Sequence, residues 1–134
     1  MIGAFQVAAE LASMGFVPLL TSRNTKAADI VVFSERTSQN VVIQVKTVGI
    51  RTSDTFWLLS EGDGSRKPEN FFYVLVKLHQ KPRPNDFYIL PARIIQRSMK
   101  RTQRRGSVWF QVYRKGIVSF KDRWDLIEYR LQFW

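Results

Sequence analysis

Cysteine is absent from these 134 residues, and histidine occurs once, at His79. The first absence excludes a disulfide framework, a thiolate nucleophile and every thiolate-held zinc or iron–sulfur centre. The second excludes any site built on two imidazoles, the His-paired nucleases among them. No Gly-rich phosphate loop is present, so the main mark of the dinucleotide and P-loop folds is missing. Long apolar runs are missing too. The longest strongly apolar stretch runs from Phe71 to Val76, against about 20 residues for a membrane-spanning helix. The N-terminal stretch is apolar, but it carries Gln6 and Glu10 and has no positive start, unlike a secretory signal. A cytoplasmic protein with no membrane partner is expected. Its chemistry, if it is catalytic, must come from carboxylates, amides, hydroxyls and amines.

Acids are also scarce. The chain has 11 Asp+Glu against 21 Lys+Arg, a net charge of +10. The excess is concentrated: residues 1–67 hold 7 basic and 6 acidic side chains, residues 68–134 hold 14 and 5. Arginine outnumbers lysine 13 to 8, which favours bidentate contacts to phosphate. Such a balance attracts polyanions. What remains is ordinary globular composition, 45% hydrophobic and 24% charged, at a length that suits one domain spanning 1–134.

Helical spacing of Ala4, Phe5, Ala8, Leu11 and Ala12 predicts a helix over residues 3–14, stopped by Gly15. Short apolar runs predict strands over 16–21, 30–33, 41–48, 55–60, 71–78 and 87–90, with Pro18 marking the first as an edge or a bulge. Ser22 to Ala27 reads as a polar loop. Pro91 suits the first turn of a helix extending from Ala92 to about Arg104 and closed by Gly106. A strand over 108–113 and a closing helix over 124–131, N-capped by Asp122, complete the order. The fold class is α/β: a central mixed, mostly antiparallel sheet flanked by helices. His79, in a Pro- and Lys-rich stretch, is expected to be an exposed loop residue.

The chemistry-bearing stretch is Asp29 through Lys46. Asp29 opens the apolar strand Ile30-Val31-Val32-Phe33, and the next strand carries Gln44-Val45-Lys46 inside VVIQVKTV. Gln44 and Lys46 share one face of that strand, and placing an amide and an amine there costs desolvation energy. A polar partner must meet them: water in a cleft, an acid or a ligand. In an antiparallel pair, directly opposed residues share a face. Asp29 opposite Gln44, or opposite Lys46, puts all three on one side; Asp29 opposite Val45 separates them. The sequence leaves this register open.

Asp29, followed by Gln44-x-Lys46 and preceded by a helix bearing Glu10, resembles the PD-(D/E)xK nuclease superfamily. This is the restriction-endonuclease-like group that includes archaeal Holliday-junction resolvases. The segments VAAELASMGFVPLL, TSRNTKAADIVV and VIQVKT resemble a small prokaryotic branch of it, and FWLLS, FYVLVKL, DFYILPARII and DRWDLI suit the same branch. Ala28 precedes Asp29 where proline is common, and Gln44 stands where the pattern carries a second acid. The resemblance implies a restriction-endonuclease-like fold and hydrolysis of DNA phosphodiesters with Mg²⁺ or Mn²⁺, with selectivity for branched structures as one form. Asp29 would be the anionic ligand, joined by Gln44, the Val45 carbonyl and Glu10. Lys46 would help activate the attacking water and offset charge in the transition state. A homodimer would place two such sites on two strands.

Arg93, Arg97, Lys100, Arg101 and Arg104 recur at helical spacing and predict one basic stripe, extended by Arg105, Arg114 and Lys115, for phosphate contacts. No acid occurs between Phe87 and Phe120. Trp57 and Trp109 are candidates for stacking on bases, although core packing suits most aromatic residues. Two other readings fit the same residues. One is a catalytically inactive nucleic-acid-binding module on the same fold. The other is a structural subunit whose basic stripe meets an acidic protein.

Overall fold

The computed structural model describes residues 2–22, 28–51 and 55–133. Residues 23–27 of the expected polar loop lie outside this set. The chain order is α1 (Ile2–Ser13), β1 (Val17–Leu20), β2 (Ile30–Phe33), β3 (Asn40–Val48), β4 (Phe56–Leu59), β5 (Phe71–Lys77), β6 (Asp86–Pro91), α2 (Ala92–Ser98), β7 (Lys100–Arg104), β8 (Ser107–Tyr113) and α3 (Asp125–Phe133). Short 3₁₀ turns lie between β4 and β5 (Glu61–Gly64) and between β8 and α3 (Arg114–Gly116 and Val118–Phe120).

Five strands form the main sheet in the order β1-β2-β3-β5-β6. Its pairs are antiparallel except β3 with β5. This is the mixed, mostly antiparallel α/β architecture that the alternation of apolar runs and turns predicts. Pro18 is tolerated because β1 is an edge strand. β5 lies between β3 and β6 and is buried along its whole length, as its unbroken apolar run requires.

The sheet carries a core on each face. On one side Ile30, Ile43, Val74 and Ile89 pack against Val7 and Leu11 of α1 and Ile127 and Leu131 of α3. The approach of α1 is close: a Cβ at Gly3 would overlap the Thr47 side chain. On the other side Tyr73, Leu75 and Leu90 pack against Trp57, Ile95 of α2 and Val112. Here a second, three-stranded sheet in the order β4-β8-β7 covers the first. Trp57 is therefore a core residue, and its indole N–H donates to the Val76 carbonyl at 3.0 Å.

That second sheet corrects the expected helix over 92–104. The helix ends at Ser98, and residues 100–104 are a strand paired with β8, Arg104 opposite Ser107. Gly106 closes no helix. With Arg105 it forms the two-residue turn of a β-hairpin, with φ of 50° at Arg105 and 79° at Gly106, the positive pair that a tight I′-type turn demands. Asp122 is not the N-cap of the closing helix; it adopts φ of 56° ahead of it and donates its N–H to the Phe87 carbonyl. No helix among the described residues is long and apolar enough to cross a membrane.

Candidate active site

The register left open by the sequence is resolved at the β2–β3 pair. Ile30 lies opposite Ile43, so the chain at Asp29 reaches Gln44, and the Asp29 N–H donates to the Ile43 carbonyl at 2.9 Å. The carboxylate then turns onto β3. Asp29 Oδ2 accepts the Gln44 side-chain amide at 3.1 Å and the Val45 N–H at 2.8 Å. Val45 offers its backbone because its strand partner has run out. Along β3 the N–H of Val42 faces β5, so odd-numbered residues face β2, which begins only at Ile30. The Val45 carbonyl points to the same gap. Asp29 Oδ1 has no partner among the described residues.

Lys46 follows Gln44 on the same face, and a partner acid meets it from a place the sequence did not single out. Asp63, in the 3₁₀ turn after β4, lies 3.4 Å from Lys46 Nζ. Its Oδ2 also accepts the Ser60 N–H at 2.8 Å and the Ser60 hydroxyl at 3.1 Å, and Oδ1 accepts the Tyr73 hydroxyl at 2.8 Å. Tyr73 is the β5 neighbour of Gln44. Burial alone would raise the Asp63 pKa, but the Ser60 N–H, the Tyr73 hydroxyl and the Lys46 charge together hold it below its ordinary value. Burial and the adjacent carboxylate push the Tyr73 hydroxyl up, so it stays a donor. The hint in the sequence is a phenol within the otherwise wholly apolar run Phe71 to Val76, since a buried tyrosine hydroxyl needs a partner.

A depressed carboxylate pKa gives a signed prediction. Stability from Asp63 is complete above the unfolded value of about 3.9 and is lost as pH falls through the lower folded value. Asp63→Asn should therefore lower the unfolding free energy at neutral pH by about 1–3 kcal/mol, read as a lower urea midpoint, for charged hydrogen bonds lost in a buried setting. It should also flatten the acid limb. A variant whose acid limb overlays that of the parent protein would remove Asp63 from this role.

Glu10 is not brought to Asp29. It is exposed on α1 and lines a cleft with Asp86, Lys121 and Trp124 at the β6 edge, while Gln6, one turn earlier, accepts the Asn85 amide at 2.7 Å. His79 is a correction as well: its side chain is only 13% exposed, and Nε2 lies 2.7 Å from Asp86 Oδ2. Burial would raise the Asp86 pKa, and His79 and Lys121 lower it. Among the described residues no group of three or more His, Cys, Asp or Glu side chains is placed to hold a metal ion.

The basic residues are divided among three places rather than aligned on one helix. Arg93 and Arg97 are exposed on α2, Lys100 and Arg104 share one face of β7, Arg101 takes the other, and Arg105 is at the hairpin tip. None of the six forms an ion pair among the described residues. Trp109, on the neighbouring strand, is 46% exposed.

No family model and no curated protein matches the chain. Among solved structures, the Holliday junction resolvase Hjc of Archaeoglobus fulgidus is similar at 16% identity and a TM-score of 0.49, over 86% of this chain and 91% of that one. At that level no residue role passes from that protein to this chain.

Proposed function

We propose that the chain is a metal-dependent DNA endonuclease of the PD-(D/E)xK, restriction-endonuclease-like kind. The observation that supports it most is the convergence of the Asp29 carboxylate on Gln44 and the Val45 backbone, with Lys46 next on the same face. The donor set suits Mg²⁺ or Mn²⁺, which accept one carboxylate with neutral oxygens and keep several waters. Asp29 Oδ1, the Gln44 amide oxygen and the Val45 carbonyl are the atoms that would hold the ion; Glu10 is left out by its position. When bound, the ion would polarise the phosphate and acidify a water.

The chain's own residues account for the rest. Asp63 keeps the Lys46 ammonium in place at the end of a long flexible stem. An ammonium fixed in advance stabilises charge building on the phosphate without reorganising at the moment of reaction. The uncompensated cations of α2 and the β7–β8 hairpin bring the polyanion to this face and set the orientation of the duplex, not its sequence.

A panel of labelled linear, nicked and four-way DNA substrates with Mn²⁺ tests this reading. Cleavage of at least one substrate that stops on adding EDTA is expected. The second reading, a module that binds DNA without cutting it, is favoured by the amide at position 44, which leaves one carboxylate at the site. Tight binding with no cleavage of any substrate would select it.

A further inference from the structure

We infer that a cleft between the 66–69 segment and α2 is a separate phosphodiester-binding site, holding the substrate strand beside the bond to be cut. This rests on the nuclease reading. The cleft has a volume of about 710 Å³ and is lined by Arg66, Lys67, Glu69, Phe71, Arg93 and Gln96, among others. Phe71 lies on the β5 face that carries Tyr73, two residues before the Gln44–Tyr73 pair. At about 3.3 Å per residue, the cleft floor begins about 7 Å from the candidate active site along the sheet, the scale of one nucleotide unit.

The walls are built before any ligand arrives. Lys67 Nζ donates to the Gly62 carbonyl and the Ser65 hydroxyl, each at 2.7 Å, and sits 5.9 Å above the Phe71 ring. Gln96 donates to the Ser65 carbonyl at 2.7 Å and ties the segment to α2. Arg66 and Arg93 are exposed on the two walls, and neither has a partner among the described residues. The acid on the wall, Glu69, is 80% exposed and paired with Arg130 at 3.7 Å. Two uncommitted guanidiniums lining a preformed cleft are suited to bidentate capture of phosphate oxygens. The same loop carries Asp63, so a strand seated in the cleft also braces the residue that holds Lys46.

Binding of labelled single-stranded and four-way DNA, read by fluorescence anisotropy across a salt series without divalent cation, tests the site. The Arg66→Ala/Arg93→Ala variant is compared with Arg36→Ala/Arg83→Ala, which removes equal charge from exposed positions outside the basic stripe. The plot of log affinity against log salt should lose about two units of slope for the cleft pair, one per phosphate contact, and less than one for the comparison pair. Arg66→Gln/Arg93→Gln, which keeps much of the side-chain bulk, should reproduce the loss. A cleft pair with the parent slope, a loss equal in both pairs, or a parent protein with no DNA affinity would each overturn the site. A parent protein that shows the expected slopes yet never cleaves leaves the cleft standing, and the hydrolytic reading alone falls.

Discussion

Lys46→Ala is expected to slow DNA cleavage by about 100- to 1,000-fold, the usual cost of deleting a preorganised charge that acts on the transition state. DNA affinity should change little, because Lys46 contributes one cation among many and is paired with Asp63, whereas the cations of α2 and the hairpin form no ion pair among the described residues. Single-turnover rates beside equilibrium binding separate the two effects. Alanine also leaves the Asp63 carboxylate without its ammonium partner, but the Ser60 and Tyr73 donors remain, so the fold should survive. Equal loss of binding and rate would mean that Lys46 serves only to attract DNA, and the hydrolytic role assigned to it would be lost.

Trp57→Ala should cost about 3–5 kcal/mol, the range for truncating a buried large aromatic residue. The indole is 1% exposed and packs edge-on to Tyr88 with ring centroids 5.5 Å apart. Its removal opens a cavity where the second sheet meets the first, and the Val76 carbonyl loses its indole donor. A typical domain has only about 5–15 kcal/mol of stability, so the variant should unfold at a much lower urea concentration. Trp109→Ala, at an exposed position, should stay within about 0.5 kcal/mol of the parent. Similar midpoints for the two variants would contradict the two-sheet core.

The contrast between these tryptophans shows where the sequence was readable. Strands that alternate or run wholly apolar, such as β2, β3 and β5, carry their own period, and the odd polar pair Gln44 and Lys46 stood out against it. The stretch from Lys100 to Arg104 has no such mark, because every side chain on β7 is exposed. Its arginines recur at a spacing that a helix also satisfies, and only pairing with β8 decides between the two. Asp63 was hidden for another reason. Its partners Lys46, Ser60 and Tyr73 come from three segments, and no local pattern records that meeting. The Pro-rich neighbourhood of His79 conceals its anchoring: the Asn85 side chain accepts its backbone N–H at 2.8 Å and Asp86 takes the ring.

The parallel pairing of β3 with β5 has a consequence for how this groove varies. Two parallel strands cannot be joined by a tight turn, so the chain must travel back along the sheet before it re-enters. That return leg lays down β4, then the turn bearing Asp63, then the wall bearing Arg66 and Lys67. Insertions and exchanges in the leg therefore reshape the groove and its lysine anchor, while Asp29, Gln44 and the ladder beneath them stay fixed.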